Sequence, residues 1–120
     1  MPKRNIVHVE IPATNTGAAG EFYKELFGWK ITPMPEMNYV MWEAGSGDEY
    51  GGFPQVSDEN PAGQVLVYID SEDIDEDLDK VKALGGKVLR EKSEIPGMGW
   101  YGVFQDPTGN VLALYTSLNP

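Results

Sequence analysis

The sequence of 120 residues has no cysteine and a single histidine, His8. Without cysteine there is no disulfide framework, no thiolate metal site and no thiol nucleophile, so any metal ion would need His, Asp or Glu ligands. Long apolar runs are also missing. The N-terminal segment has two basic residues and then a very short apolar run, too brief for a signal peptide or a membrane span. We therefore expect a cytoplasmic protein that makes no membrane contact.

Positive charge is scarce, because nine Lys and Arg stand against nineteen Asp and Glu, a formal net charge of −10. Nucleic-acid binding depends on clustered Lys and Arg, so this balance argues against a nucleic-acid partner. The same field favours a neutral or cationic small-molecule ligand, although salt screens it within about 8–10 Å. The length and ordinary hydrophobic content (41%) suit a single globular domain, 1–120.

Residues 100–116 form two apolar, β-rich runs around a tight turn, Asp106-Pro107-Thr108-Gly109. Asp106 is suited to accept hydrogen bonds from the turn backbone, Pro107 presets φ, and Gly109 takes the positive φ that closes a hairpin. Both faces of this hairpin are largely apolar. One face is expected to pack on helices, and the other either lines a cavity or is simply buried.

Residues 5–11 alternate in polarity, which predicts a strand. Val7, Val9 and Ile11 share the face expected to pack against a helix. His8 and Glu10 share the opposite face, which would point toward solvent or a pocket.

Two segments have the spacing of amphipathic helices. The first starts among residues 12–16 and ends at Gly28 as a left-handed cap, with its apolar residues at Ala19, Phe22, Tyr23, Leu26 and Phe27. The second is capped by Asp70 or Ser71, and its predicted buried stripe is Ile74, Leu78, Val81 and Leu84. Its many acidic residues form a solvated face near the positive end of the helix dipole.

The two halves of the chain repeat the element order βαβββ. The remaining strands are predicted at residues 29–34, 39–44, 50–56, 64–70 and 87–91, with a loop at 95–99. The helix ends align with an offset of 57 residues, LFGWKI at 26–31 against ALGGKV at 83–88. Module one covers about 1–57 and module two about 64–118. Each alone would leave a half-covered sheet, so the α+β fold is expected to pair them.

Five segments in this order and spacing resemble the vicinal oxygen chelate superfamily of glyoxalases, bleomycin-resistance proteins and extradiol dioxygenases. They are HVEI at 8–11, EFYKELFGW at 21–29, DSEDIDEDLDKVKALGGKV at 70–88, IPGMGW at 95–100 and FQDPTGN at 104–110. The resemblance covers nearly the whole chain. It implies two βαβββ modules forming a cupped, partly closed mixed sheet with helices outside, commonly across a homodimer, and a site in the cup.

The resemblance also implies metal ligands, His or Glu, from the first and last strands of each module. His8 stands at one such position, but the strand at 64–68 offers neither residue, Ala113 stands where the family carries a Glu, and Gly51-Gly52-Phe53 is equally bare. A lone imidazole does not hold a divalent ion against water. We therefore expect no cofactor. The alternative is a divalent metal held in an unusual arrangement by His8 with Glu10, Glu43 or Glu49.

His8 and Glu10 are the candidate catalytic pair, since a neighbouring carboxylate raises an imidazole pKa and makes it a usable acid or base. A rim salt bridge, or a purely structural histidine, is the alternative. The candidate ligand-binding residues are Trp42, Tyr68, Met98, Trp100, Ala113 and Tyr115, because aromatic walls with a few polar tips suit small organic ligands. By residue type, most of six aromatic residues are expected in the core, although some should line the cup: Tyr39, Trp42, Tyr68, Trp100, Tyr101 and Tyr115. Met98 lies between two glycines, in either a mobile lip or a plain connector.

Two classes of function follow. The first is a metal-independent protein that binds a small molecule, as bleomycin-resistance relatives do. The second is an enzyme, either a metal-dependent glyoxalase-like lyase or dioxygenase with displaced ligands, or an acid–base catalyst that uses His8 and Glu10.

Overall fold

Residues 4–118 form two helices and eight strands, which follow one another in the order that the repeat predicts. The computed structural model describes residues 4–118; residues 1–3, with Lys3 of the basic N-terminal segment, and 119–120 lie outside the described part. The first repeat contains β1 (Ile6–Glu10), α1 (Thr16–Phe27), β2 (Lys30–Met34), a 3₁₀ turn (Pro35–Met37), β3 (Tyr39–Glu43) and β4 (Tyr50–Phe53). The second contains β5 (Leu66–Asp70), α2 (Ile74–Ala83), β6 (Lys87–Ile95), β7 (Gly99–Gln105) and β8 (Val111–Ser117). The α+β class is confirmed.

The chain divides into two compact units that do not coincide with the predicted modules. One unit is His8–Leu66, and the other contains residues 67–118 together with 4–7. The division falls inside β1, so the start of that strand belongs with the second repeat. There, the Asp70 amide donates a hydrogen bond to the Asn5 carbonyl, at 2.9 Å.

In the His8–Leu66 unit the strands pair in the order β2-β3-β4-β1. β1 runs parallel to β4, with Val9 beside Gly51, and the other pairs are antiparallel. Pro33 lies within β2, inside the strand that the sequence predicts at 29–34. Because β2 ends this row of strands, a residue without an amide N–H is tolerated.

Helix α1 covers one face of these strands. Its start and end are as predicted, since the Asn15 side chain accepts from the Ala18 amide and Gly28 is a left-handed cap with φ 74°. The core of the unit consists of Ala13, Val40, Trp42 and Phe53, against which Val9, Ile11, Ala19 and Tyr23 pack. The prediction that the Val9 face of β1 meets the helix is therefore confirmed.

The predicted apolar stripe of α1 is only partly buried. Phe22, Leu26 and Phe27 are exposed, whereas Ala19 and Tyr23 reach the core. The reason is the close approach of the helix at Gly20, which is buried; a Cβ there would lie 2.9 Å from a methyl group of Ile31. This contact selects a narrower face of the helix than the hydrophobic spacing alone indicates.

The second unit repeats the same pairing scheme, in the order β5-β8-β7-β6. β5 runs parallel to β8, and the β6·β7 and β7·β8 pairs are antiparallel. Helix α2 buries Ile74 and Leu78 against Leu114, with Trp100 and Phe104 packed around them. The correspondence of parallel and antiparallel pairs in the two units supports the internal repeat.

Two details of α2 differ from the prediction. The cap is Asp73, whose side chain accepts from the Glu76 amide at 3.0 Å, whereas Ser71 is buried and donates to Asp77. Leu84 lies beyond the end of the helix and is 78% exposed, so it does not extend the buried stripe.

The closing hairpin forms as predicted. Asp106 Oδ1 accepts from the amides of Thr108, Gly109 and Asn110, each at 2.9 Å, and Gly109 has φ 112°. The predicted loop at 95–99 is shorter than expected, because β6 continues to Ile95 and β7 begins at Gly99.

Candidate functional site

His8 and Glu10 project from the face of β1 that is opposite the core. Alternation along the strand sends Val9 toward α1 and these two side chains the other way. Both are largely buried, with 22% and 13% of their side-chain surfaces exposed. His8 Nε2 lies 3.8 Å from Glu10 Oε2, so the predicted neighbours do meet.

Tyr39, at the start of β3, joins the pair. Its hydroxyl donates to Glu10 Oε2 at 2.7 Å, and His8 Nε2 lies 2.9 Å from the same hydroxyl. A phenol has one hydroxyl hydrogen to donate. Because Tyr39 donates this hydrogen to Glu10, its hydroxyl oxygen accepts a hydrogen bond from His8 Nε2–H. The hydrogen bonds thus assign the tautomer of the neutral imidazole that carries its proton on Nε2.

The ionisation of His8 differs from the expectation. Burial lowers the pKa of the imidazole more than the Glu10 carboxylate raises it, so the net direction is downward from 6.5. The expectation of a raised pKa was wrong, because sequence spacing reports the neighbouring charge but not the loss of water around the ring. His8 is therefore neutral at pH 7.

The sequence did not single out Tyr39 as a site residue. β3 and β1 are both neighbours of β4, so Tyr39 reaches the pair by crossing that strand at Gly52. The signal in the sequence is weak: a glycine in a strand indicates close approach of another group. Without the strand order, nothing connects Gly52 with Tyr39.

Trp42 and Trp100 lie on the helix-covered faces of their units, not on the opposite faces. Trp42 is buried and stacks on Trp29 with ring centroids 4.1 Å apart; its indole Nε1 is buried and has no hydrogen-bond partner among the described residues. Trp100 packs against the core around Leu78 and carries Lys92 5.0 Å above its ring. Both tryptophans therefore have a packing role.

The other four predicted ligand-binding residues are in the second unit. Tyr68 and Ala113 are buried partners on β5 and β8. Tyr115 donates its hydroxyl hydrogen to the Met98 carbonyl at 3.0 Å and so ties the turn before β7 to β8. The Met98 side chain itself is exposed. Their role in ligand binding remains a prediction.

An aromatic and cationic group on the second unit was not singled out by the sequence. The rings of Tyr68 and Tyr101 have centroids 6.5 Å apart, and the Arg90 guanidinium lies 5.6 Å from the Tyr101 centroid. Tyr101 is paired with Tyr115 across β7 and β8. Since β6 contributes Arg90 and β5 contributes Tyr68, only the folded sheet assembles this group.

The side chains of the described residues do not fit a divalent metal site. Within residues 4–118, no three or more His, Cys, Asp or Glu side chains are grouped so that they could hold an ion. Glu43 and Glu49 therefore do not complete a set with His8 and Glu10. Moreover, His8 Nε2 is hydrogen-bonded to Tyr39, and Ala113 and Gly52 offer no donor atom.

Neither helix among the described residues is long and apolar enough to cross a membrane.

Comparison with known proteins gives matches over almost the whole chain. The family model described as Glyoxalase/Bleomycin resistance protein/Dioxygenase superfamily matches residues 5–114. The Mycobacterium bovis protein CFP32, named as a glyoxylase, is 30% identical over 127 residues, which cover 96% of this chain and 49% of the relative. A glyoxylase-like domain-containing protein of Didymella fabae is 30% identical over 116 residues, which cover 90% of each chain.

The chain thus spans about half the length of the mycobacterial relative. Among solved structures, a Streptomyces coelicolor methylmalonyl-CoA epimerase in complex with 2-nitronate-propionyl-CoA is similar with a TM-score of 0.69 and 20% identity. The match covers 98% of this chain and 96% of the epimerase. At this identity the likeness concerns the fold alone.

Proposed function

This chain belongs to the Glyoxalase/Bleomycin resistance protein/Dioxygenase superfamily, and on that premise we propose that it binds a small organic molecule without a metal ion. The observation that carries the proposal is the bridged cluster of His8, Tyr39 and Glu10, whose polar atoms meet within hydrogen-bond distance. Small-molecule sites combine apolar walls with a few fixed polar groups. This cluster supplies such groups, already oriented by one another.

The chemistry of the cluster favours a neutral or cationic ligand. The formal net charge is −10, and Glu10 adds a carboxylate to a group whose imidazole is uncharged at pH 7. An anionic ligand would meet repulsion from both sources. This preference concerns the His8–Leu66 unit.

The histidine itself provides the test. Because His8 is the only histidine, its Hε1 proton gives one isolated signal in an NMR spectrum of untagged protein. A library of neutral and cationic aromatic fragments should contain members that shift this signal. His8→Gln should weaken their binding about tenfold, or about 1.4 kcal/mol, through loss of the imidazole contact.

Lys24→Gln is the matched control, since Lys24 is exposed on α1 and distant in sequence from the cluster. It should leave fragment affinity unchanged. Fragments that bind equally well to the wild type and to His8→Gln, with the fold intact, would contradict the proposed site.

A second candidate function is acid–base catalysis of the glyoxalase type. It is favoured by the contact of His8 Nε2 with the Tyr39 hydroxyl, which fixes the tautomer of the imidazole. The lowered pKa of His8 agrees with this, because a general base near pH 7 must be unprotonated. A fragment with an acidic C–H bond would then exchange that hydrogen with deuterium from D₂O in the presence of the wild type. His8→Gln should abolish the exchange. No exchange with any bound fragment would leave ligand binding as the function.

Two further properties belong to this proposal. We place the protein in the cytoplasm, because it has no cysteine from which an extracellular disulfide framework could form; cell fractionation tests this location. We also propose a homodimer, the usual assembly that the family resemblance implies.

A further inference from the structure

We propose that Gly52 is a positioning residue of the candidate site: the missing side chain at this position is what allows Tyr39 to cross β4 and bridge His8 and Glu10. This inference rests on the proposed function in one respect: the bridge formed by Tyr39 is taken to serve ligand binding. The geometry itself stands independently of any ligand.

The register of the strands puts Gly52 in the path of Tyr39. On one side Gly52 is the Cα partner of Glu10 in β1, and on the other side it is the partner of Met41 in β3. Side chains at paired positions share a face of a sheet. A side chain at residue 52 would therefore stand on the same face as Glu10, between it and β3.

A Cβ atom at residue 52 has no room while Tyr39 keeps its place. Built on the backbone, that atom would overlap the hydroxyl oxygen and Cζ of Tyr39. These are the end of the side chain that holds His8 and Glu10 together. Even the methyl group of alanine at residue 52 is therefore incompatible with the position in which Tyr39 contacts both His8 and Glu10.

The backbone at Gly52 does not require glycine for conformational reasons. Gly52 is absent from the glycines with positive φ, unlike Gly28 or Gly109. The need is for space alone. An alanine at this position therefore changes the structure by displacing the atoms that its Cβ would contact, not by straining the backbone.

The adjacent glycine serves the opposite face in the same way. A Cβ atom at Gly51 would overlap the Trp42 ring and the Val9 carbonyl oxygen. Gly51 thus makes room for the core, and Gly52 makes room for the site. The two neighbouring glycines of β4 consequently have separable roles, one on each face.

Displacement of Tyr39 changes the surroundings of His8 in a predictable direction. His8 faces Glu10 from its own strand and Tyr39 from β3, and both are titratable. When the Tyr39 ring moves away, water reaches the imidazole, and the Glu10 carboxylate loses the hydrogen bond that it accepts from the Tyr39 hydroxyl. Both changes favour the imidazolium form, so His8 should titrate closer to about 6.5.

The experiment follows the His8 Hε1 signal against pH in the ligand-free, untagged protein. The variants are Gly52→Ala, Tyr39→Ala and the double variant, with Gly45→Ala as the control because a Cβ atom there meets nothing within 4 Å. Gly52→Ala should raise the apparent pKa of His8 by about as much as Tyr39→Ala does. In the Tyr39→Ala background, Gly52→Ala should add no further change. Gly45→Ala should titrate like the wild type.

Two results would overturn the inference: a folded Gly52→Ala variant with an unchanged His8 titration, or a shift of the same size with and without Tyr39. If Gly52→Ala does not fold, the double variant decides, since removal of Tyr39 removes the overlap. It should then fold and melt near the temperature of Tyr39→Ala, and a double variant that also fails to fold would count against the role. Fragment binding by the wild type tests the proposed function separately, because none of these titrations needs a ligand.

Discussion

At the scale of single residues, the neighbours of a side chain decide its chemistry. His8 combines a nearby carboxylate with burial, two effects of opposite sign on its pKa, and burial prevails. The result is a neutral ring held by Tyr39. A histidine in this state suits hydrogen bonding and proton acceptance better than an ion pair.

This ionisation predicts a pH dependence of stability. The pKa of His8 is lower in the folded chain than the unfolded value of about 6.5. The unfolded chain therefore binds more protons as the pH falls through that value. The contribution of His8 is present above about pH 6.5 and is lost as the pH falls toward the lowered folded pKa.

Denaturant unfolding between pH 7.5 and pH 5 checks this prediction. The wild type should lose more free energy of unfolding over this interval than His8→Gln, whose side chain does not titrate. Parallel curves for the two proteins would mean that burial does not control the ionisation of His8.

At the scale of elements, α2 is tied to the start of the chain through one carboxylate. Asp77 accepts from the Arg4 guanidinium with both oxygens and from the Ser71 hydroxyl at 2.7 Å. These bonds lower the pKa of Asp77, with the Arg4 hydrogen bond as the largest cause. Ser71, expected as the helix cap, serves this network instead.

Asp77→Asn should lower the free energy of unfolding at pH 7 by about 1 kcal/mol, a modest value because Arg4 is partly exposed and solvent screens the pair. The contribution of the carboxylate is present above the unfolded pKa near 3.9 and is lost as the pH falls through the lowered folded pKa. The difference between variant and wild type should therefore shrink below about pH 4. Urea titrations at pH 7 and pH 3 measure it.

Asp79→Asn is the matched control within the same helix. Asp79 is highly exposed and lies 3.7 Å from Lys82 in a surface pair. Its substitution should change stability by no more than a few tenths of a kcal/mol. Equal losses for the two variants would show that negative charge on α2, not the Arg4 contact, accounts for the effect.

At the scale of the whole molecule, the arrangement of the His, Asp and Glu side chains predicts how much metal the protein retains. Protein produced without chelators and supplied with Ni, Zn, Mn or Fe should not retain stoichiometric metal, because the described residues offer no cluster of three ligands. Elemental analysis after gel filtration measures this. About one ion per chain, lost in His8→Ala, would instead favour a metalloenzyme.

We expect the chain to form a homodimer. Phe22, Leu26 and Phe27 are exposed apolar side chains of α1, and exposed apolar area is often covered by a partner. Together with the family resemblance, this favours a homodimer. Sedimentation at micromolar concentration should give twice the chain mass of 13.2 kDa. A monomer mass at that concentration would defeat the prediction.

Features that depend on residues close together along the chain can be predicted from the sequence alone. The alternation at Val9, the Gly28 cap and the Asp106 turn follow from local periodicity and backbone preference, which is why each is found as predicted. The repeat of element order follows from the same local signals. A resemblance in motif order then indicated the superfamily that the family match shows.

The tertiary structure alone decided the features that depend on strand order and on the distance between elements. Tyr39 and Glu10 are 29 residues apart in the sequence and meet only because β4 lies between their strands with a glycine at the crossing. Trp42 is in the core because its face of β3 is covered by α1. The direction in which the pKa of His8 shifts depends on how completely the surrounding groups exclude water from its ring. The residues next to His8 in the sequence do not show this.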